Sequence, residues 1–176
     1  MQHQKSNDKK RIIVIFAGIV LLAIITVLIL FFAGVILKSE LTVGNDIVSE
    51  DVSEFYYTYS TSTYPPEYQR YYFYTENGKH MFYHEQREGK TWPLTEEHIT
   101  VSGRMELSDS EWAQFFGYLQ GGKVKKREKY SCSGSSGPWM YLYRQNDRSK
   151  YQQFYFASYD KQVSFEDFCL KLKEAC

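Results

Sequence analysis

One apolar segment near the N-terminus constrains this chain more than any other feature. Residues 12–37 read IIVIFAGIVLLAIITVLILFFAGVIL, with no charged residue and nothing more polar than Thr26. At a rise of about 1.5 Å per residue, a helix of this length exceeds the ~30 Å hydrocarbon core of a bilayer. A cleaved signal peptide has a shorter apolar region followed by a small-residue cleavage site, whereas this run stays apolar to its end. We therefore predict an uncleaved transmembrane anchor that contacts the lipid bilayer through 12–37.

The charges beside this segment predict its orientation. Residues 1–11 hold four basic residues and one acidic residue, whereas residues 38–54 hold one lysine and five acidic residues. Positive charge beside a span stays in the cytoplasm, so a cytoplasmic tail at 1–11 and an extracytoplasmic C-terminal part are expected, in a single-pass protein of the cell membrane. Removing the tail from the 21 basic and 21 acidic residues of the chain leaves 17 and 20, a net charge of −3. That balance gives no indication of nucleic-acid binding.

The polar remainder divides into a linker and one domain. Residues 38–51, KSELTVGNDIVSED, are acidic and lack sustained apolar periodicity, which predicts a linker. Residues 52–176 are enough for one compact extracytoplasmic domain and too few for two ordinary ones. The chain has 16 tyrosines and 12 phenylalanines. Such aromatic richness favours β-strands.

The first half of this domain has the pattern of an antiparallel meander. Two β-branched and aromatic runs, VSEFYYTYSTST and QRYYFYTE, are separated by Pro65 and Pro66, which cannot continue a central strand. Asn77-Gly78 then leads into KHMFYHEQR, and this dipeptide between two such runs predicts a tight hairpin. A fourth strand, HITVSGRMEL, follows, with Gly103 as a candidate bulge.

A helical period replaces the strand period after this meander. Apolar residues recur at helical spacing, namely Trp112, Phe115, Phe116 and Leu119. Ser108 and Glu111 precede them with the spacing of a capping box, and Gly121 follows as an end signal. The segment 109–120 is therefore predicted to be an amphipathic helix.

The C-terminal segment has a second helix signal of the same kind. Ser164 with Asp167 is a second capping-box candidate ahead of an apolar stripe, which predicts a helix over 165–175. Three strand candidates lie between the helices: KVKKREKYS, WMYLYRQN and YQQFYFASY. The first is rich in lysine, which is typical of a protected sheet edge. The order of elements predicts an α+β fold, with an N-terminal transmembrane helix followed by an antiparallel sheet and two amphipathic helices packed on one face.

Two patterns that could carry catalysis or metal binding are better explained by structure. Residues 131–139, SCSGSSGPW, contain serines that would need a base, yet no histidine follows His98, and glycine and serine favour turns. His80 and His84 share one face of a strand without an evident third ligand, so solvated strand histidines are favoured over a metal site. The sequence therefore predicts no catalytic residue, no metal and no cofactor.

The tyrosines are the main candidates for binding. On an exposed sheet face they would form an aromatic platform for a sugar ring or a peptide, and the residues selected are Tyr57, Tyr59, Tyr71, Tyr83, Tyr141 and Tyr143. The competing interpretation is that cross-strand tyrosine pairs only stabilise a sheet with one face exposed to solvent.

The three cysteines lie on the side expected to face outward. Cys169 and Cys176 are seven residues apart on one helix, roughly 10.5 Å, which is too far for a bridge between them. Cys132 is the remaining partner, and the adaptable helix end at Cys176 is favoured over Cys169, which lies on the apolar stripe. Three reduced thiols are the alternative.

The segment 139–172 carries a resemblance to a known group. Its Trp-led strand, polar turn, strand ending FYFASY and capped helix resemble the C-terminal part of uncharacterised membrane-anchored extracytoplasmic domains of Gram-positive gut bacteria. Ser149 and Ser158-Tyr159 stand where that group usually carries a turn glycine and Ser-Gly. The resemblance implies a bacterial envelope protein and no activity. We expect binding or scaffolding of an envelope protein or glycan, with a cell-envelope hydrolase assembled from distant residues as the alternative.

Overall fold

The computed structural model describes residues 15–31, 40–61, 64–126, 137–145 and 152–176. These form two units, 1–39 and 40–176. In the first unit, residues 15–31 form helix α1, and all of its side chains are exposed. No helix within the described ranges has both the length and the apolar character needed to cross a bilayer. The other residues of the predicted anchor, 12–14 and 32–37, and the predicted cytoplasmic tail, 1–11, lie outside the described residues.

The second unit is an α+β domain, as predicted. Its strands within the described residues are β1 (Glu40–Thr42), β2 (Val52–Thr61), β3 (Glu67–Glu76), β4 (Lys79–Glu88), β5 (Ile99–Glu106), β6 (Lys123–Lys126), β7 (Gly137–Arg144) and β8 (Gln152–Tyr155). Its helices there are α2 (Asp109–Leu119) and α3 (Tyr159–Ala175), with short 3-10 turns at Ser49–Asp51 and Glu96–His98. The strands form one sheet in the order β1-β6-β8-β7-β2-β3-β4-β5. Neighbouring strands are antiparallel.

The meander β2 to β5 follows the prediction except at one glycine. Asn77 and Gly78 both take positive φ, 52° and 77°, so the tight hairpin between β3 and β4 is confirmed. Gly103 is not a bulge, because it pairs in register with His84 and the register shift lies further along, between Gln86 and Arg87. A Cβ at Gly103 would lie 2.6 Å from Nε2 of His84. The glycine therefore provides room for the imidazole.

The predicted linker 38–51 is wrong over most of its length. Residues Glu40–Thr42 pair with β6 as the edge strand β1. Val43 and Ile47 follow and are only 1% and 0% exposed. The folded unit therefore begins at Glu40 rather than Val52. The periodicity argument missed this because Val43 and Ile47 are isolated apolar residues that form no sustained period.

The lysine-rich strand β6 is not the edge of the sheet, contrary to the prediction. It has β1 on one side and β8 on the other. Glu40 of β1 forms ion pairs with Lys123 at 3.3 Å and with Lys125 at 3.4 Å. These lysines lower the pKa of Glu40. The basic cluster thus pairs with an acidic residue of the true edge strand.

Helix α2 begins where its capping signal predicts. The Ser108 hydroxyl accepts a hydrogen bond from the Glu111 amide at 3.3 Å, and the Glu111 carboxylate accepts one from the Ser108 amide at 2.7 Å. The hydrogen bonds from Ser108 lower the pKa of Glu111. The predicted apolar stripe is buried, namely Trp112, Phe115, Phe116 and Leu119.

Helix α3 begins earlier than predicted. Its N-cap is Ser158, whose hydroxyl accepts from the Lys161 amide at 3.2 Å. Ser164 lies inside the helix, where its hydroxyl donates to the Asp160 carbonyl at 2.8 Å. The capping box at Ser164 and Asp167 is therefore wrong, although the predicted segment 165–175 is helical. A serine in mid-helix can bond back to the preceding turn, so the local pattern alone did not identify the start.

Phenylalanines join the sheet to both helices. Phe55 of β2 packs edge-on against Phe115 of α2 at 5.6 Å and Phe165 of α3 at 5.5 Å between ring centroids. Phe73 of β3 stacks on Phe115 at 4.1 Å and lies 6.3 Å from Phe168 of α3. Each fully buried side chain of this size contributes about 1.5–3 kcal/mol. Both helices therefore pack on the side of the sheet that carries Phe55 and Phe73.

Candidate functional site: the open face of the sheet

The opposite side of the sheet carries no helix of this unit among the residues described for 40–176, and we call it the open face. Successive side chains of a strand point to opposite sides, so residues that alternate with Phe55 and Phe73 belong to the open face. Cross-strand pairing then assigns the central members: Glu54, Tyr56, Arg70, Tyr72, Tyr74, Tyr83, Glu85, Arg87, Arg104, Tyr141 and Tyr143. Most of these side chains are half-buried, so they form a surface with its own internal packing.

The six tyrosines selected from sequence do not share one face. Tyr57 and Tyr71 lie on the helix side and are only 5% and 2% exposed. The Tyr57 hydroxyl donates to Glu166 of α3, and burial, then this hydrogen bond, raises its pKa. Tyr59 lies on the same side but is 41% exposed. The predicted six-residue platform is therefore wrong, because Tyr57 and Tyr71 belong to the core.

The other three selected residues, Tyr83, Tyr141 and Tyr143, do lie on the open face. Sequence analysis missed their main neighbours, Tyr56, Tyr72 and Tyr74. In VSEFYYTY two tyrosines are adjacent, and adjacent residues cannot share a face. The spacing from Phe55 could have identified the correct tyrosine. If Phe55 is assigned to the core, the adjacent Tyr56 must point to the opposite side of the sheet.

Three tyrosines of the open face stand as a stack. The rings of Tyr56 and Tyr72 are 4.3 Å apart and inclined by 11°, and those of Tyr72 and Tyr74 are 4.4 Å apart and inclined by 11°. Tyr143 meets Tyr56 edge-on at 5.7 Å, and the Arg104 guanidinium lies 5.6 Å from the Tyr74 ring centroid. Aromatic pairs of this kind contribute about 0.5–1.5 kcal/mol each beyond burial. Because both ring faces of Tyr72 are covered, the stack presents ring edges and hydroxyl groups.

Glu54 holds two hydroxyl groups of this stack. Its carboxylate accepts from Tyr56 at 2.7 Å and from Tyr72 at 3.1 Å. Burial is the main cause of the raised pKa of Tyr56. It is also the main cause for Tyr72, whose pKa is raised to about 12. Both hydroxyls therefore stay neutral at physiological pH and act as ordered hydrogen-bonding groups.

A second cluster on the open face surrounds a buried carboxylate. Glu85 is 1% exposed. One of its oxygens accepts from Arg87 at 2.7 Å and 3.1 Å and lies 3.1 Å from an Arg70 nitrogen, while the other accepts from the Tyr83 hydroxyl at 2.7 Å. Two guanidinium groups face one carboxylate, which leaves a net positive charge. Because both oxygens are occupied by donors, Glu85 positions the two arginines and is not free to act as a base.

The strand histidines lie on the helix side and are not solvated as expected. His80 stacks on Trp112 at 4.0 Å and 6°, and His84 is 4% exposed. Burial lowers the pKa of both imidazoles. Over the described ranges, no three or more His, Cys, Asp or Glu side chains are grouped so as to hold a metal ion.

The proposed disulfide partner Cys132 and the serine-rich segment 131–136 lie outside the described residues. Cys169 is buried in the core and Cys176 is exposed, and the two form no disulfide with any residue that the structure describes. Burial raises the pKa of both, that of Cys169 well above its usual range. Pairing of Cys132 with Cys176 stays a prediction.

Comparison with known proteins brings no relative to this chain: no family model, curated protein or solved structure matches it.

Proposed function

We propose that this chain is a single-pass membrane protein whose α+β domain lies outside the cytoplasm and binds an envelope protein through the open face, without catalysis. The observation that carries the proposal is the distribution of aromatic groups. Phenylalanines join both helices to one side of the sheet, whereas stacked tyrosines and arginines occupy the other side.

The membrane anchor is supported by residues 12–37, which contain no charged side chain. Their described part, 15–31, is helical and exposes apolar side chains throughout, among them Ile19, Leu22 and Phe31. Such a surface is stable in lipid and costly in water. The basic residues of 1–11 favour a cytoplasmic N-terminus.

The geometry of the stack favours a protein partner over a glycan. A sugar ring stacks on an exposed aromatic face, but Tyr72 lies between Tyr56 and Tyr74, so its two faces are covered. The groups left for a ligand are ring edges, hydroxyls and guanidinium planes. Tyrosine and arginine with this presentation are enriched at the centres of protein interfaces. Their order in the free domain reduces the entropy lost on binding.

Two hydroxyl–imidazole contacts bear on the hydrolase alternative. Thr95 Oγ1 lies 2.9 Å from His98 Nδ1, but that nitrogen also accepts from the Thr95 amide at 3.1 Å. Thr75 Oγ1 lies 3.3 Å from His80 Nδ1, and the His80 ring is stacked on Trp112. Neither imidazole is therefore placed to activate a nucleophile in an open site, which favours binding over hydrolysis.

Site-specific photo-crosslinking in intact cells tests the binding surface. A benzophenone amino acid at Tyr74 or Tyr141 should give a discrete adduct with another protein, because these positions lie on the open face. The same group at the exposed helix positions Ala113 or Glu174 is the control and should give none. Equal adducts from both sides, or adducts only with a second copy of the chain, would contradict the proposal.

A reporter fused after Cys176 tests the topology in the same cells. An enzyme that is active only outside the cytoplasm should be active in this fusion. A cytoplasmic signal would overturn the orientation without bearing on the open face.

A further inference from the structure

One cluster of the open face carries more positive than negative charge. Cross-strand pairing places Trp139, Thr58, Arg70 and Glu85 side by side on β7, β2, β3 and β4. Glu85 is the carboxylate of this row, and both Arg70 and Arg87 pair with it. One carboxylate therefore serves two guanidinium groups, and one positive charge is left uncompensated within the cluster.

Arg70 is the member of this cluster that lies nearest to solvent. Its side chain is 28% exposed, against 12% for Arg87 and 2% for Glu85. An arginine has five N–H donors. Within the described residues, the one ion-pair contact of Arg70 joins Nη2 to Glu85 at 3.1 Å, and its Nε is buried without a hydrogen-bond partner. Glu85 has no oxygen to spare, because its other oxygen accepts from the Tyr83 hydroxyl. The guanidinium therefore keeps donor capacity that the described part of the domain does not use.

The neighbour of Arg70 across β2 has a short side chain. Thr58 is paired with Arg70 on one side and with Trp139 on the other, and Tyr56 precedes it by two residues on the same side of the strand. Directly opposite residues have Cβ atoms about 4.5–5.5 Å apart, so the Thr58 hydroxyl lies close to the arginine. None of the hydrogen bonds between described residues involves this hydroxyl. Threonine is much smaller than its aromatic neighbours, so the described surface is lower at Thr58 than around it.

These features match an incoming carboxylate. A guanidinium binds a carboxylate through two parallel charge-assisted hydrogen bonds, and a neighbouring hydroxyl can donate a third. The Arg70 guanidinium lies 5.9 Å from the Tyr56 ring centroid, so aromatic surface borders the site. An arginine beside rings that exclude water is typical of the residues that contribute most to a protein interface.

We propose that the partner of the open face inserts an aspartate or glutamate side chain beside Thr58, where Arg70 binds the carboxylate and the Thr58 hydroxyl donates to it. This inference rests on the proposed function and adds the chemistry that the partner presents. It commits to a protein side chain, because the stacked tyrosines favour a protein over a glycan.

The first test uses the wild-type full chain in neutral detergent micelles and ligand-observed NMR. The peptide Ac-Ala-Glu-Ala-NH2 should bind about tenfold more tightly than Ac-Ala-Gln-Ala-NH2, which has the same shape without the charge. Glucuronate and methyl phosphate represent acidic glycans and phosphate groups, and both should bind more weakly than the glutamate peptide. Equal binding of the two peptides, or tighter binding of either alternative anion, overturns the proposal.

Substitutions provide the second test. Arg70→Gln should weaken binding of the glutamate peptide about tenfold, and Arg70→Lys should weaken it less, because lysine keeps the charge but not the paired donors. Thr58→Val keeps the shape without the hydroxyl and should weaken binding about threefold. Lys171→Gln removes one charge from an exposed position of α3 and is the control, which should bind as the wild type does. Equal binding by Arg70→Gln and the control overturns the proposal.

Photo-crosslinking in intact cells separates this inference from the proposed function. The adduct formed by a benzophenone amino acid at Tyr141 should fall about tenfold in Arg70→Gln and stay unchanged in Lys171→Gln. An adduct that is equally strong in Arg70→Gln would overturn the carboxylate inference and leave the open-face function in place. The absence of any adduct in the wild-type chain would overturn that function, and the carboxylate inference that rests on it would fail too.

Discussion

Removal of the Glu85 carboxylate is expected to be among the most damaging single changes on the open face. Glu85→Ala deletes the group that pairs with Arg87 at 2.7 Å and Arg70 at 3.1 Å and that accepts from Tyr83 at 2.7 Å. The side chains of Glu85 and Arg87 are only 2% and 12% exposed. The variant would leave a nearly buried guanidinium without its counter-charge and a hydroxyl without its acceptor.

The burial of each partner sets the size of the effect. Breaking a buried ion pair by removing one partner costs about 3–5 kcal/mol. Arg70 is 28% exposed and regains some hydration, so the lower part of that range, about 3 kcal/mol, is expected. Glu85→Gln keeps the shape and one acceptor and should cost about 1–3 kcal/mol. The control Glu106→Ala removes an exposed pair, 60% and 53% exposed, and should cost about 0–1 kcal/mol.

Urea unfolding of the full chain, followed by tryptophan fluorescence, measures these differences. The chain has three tryptophans, and Trp112 of α2 is buried in the core, so its emission should report loss of the domain. The expected order of midpoints is wild type and Glu106→Ala highest, then Glu85→Gln, then Glu85→Ala. If Glu85→Ala lowers the midpoint no more than Glu106→Ala does, the cluster contributes nothing and the reasoning fails.

Three further expectations concern a close contact, a helix cap and a half-buried hydroxyl. Gly103→Ala should destabilise the domain by about 1–3 kcal/mol, since its methyl group would meet the imidazole opposite it. Gly117→Ala should instead stabilise it by about 0.5–1 kcal/mol, because an added Cβ there meets nothing within 4 Å. Thermal scans in which both variants shift the melting temperature in the same direction would contradict one of these two predictions. Ser158→Ala should cost about 1 kcal/mol in urea unfolding and Ser164→Ala less than about 0.5, because only the former is the N-cap. A larger loss of stability for Ser164→Ala than for Ser158→Ala would instead favour the helix start at Ser164 that the sequence predicted. Burial, then a hydrogen bond to a carboxylate, raises the pKa of Tyr83 to about 12, above the value of about 10 in unfolded chains. The raised pKa favours the neutral form in the folded state, so its contribution is complete below pH ~10 and is lost as the pH rises through ~12. In ultraviolet titration, Tyr83→Phe should remove a group that ionises near pH 12, and ionisation of that group near pH 10 in the folded protein would refute the burial argument.

The elements that the sequence predicted well are those encoded by adjacent residues. The Asn77-Gly78 hairpin depends on positive φ at two neighbouring positions, which few residues tolerate. Helix α2 depends on Ser108 and Glu111 three residues apart, within reach of each other's backbone amides. The same local rule failed for α3, where the true N-cap, Ser158, lies six residues before the serine with the better pattern. The α+β class followed from the order of strands and helices along the chain.

The composition of the open face was decided by the tertiary structure. The sequence by itself determined that the chain is rich in tyrosine, that its strands alternate and that an apolar segment precedes them. It could not determine which tyrosine of the pair Tyr56 and Tyr57 faces solvent, because a shift of one residue exchanges the two sides of a strand. That choice depends on where α2 and α3 pack, and hence on contacts such as Phe55 with Phe115 and Phe165, far apart in the chain. The burial of Glu85 likewise requires strands β3 and β4 to be paired in register, since only pairing brings Arg70 opposite it.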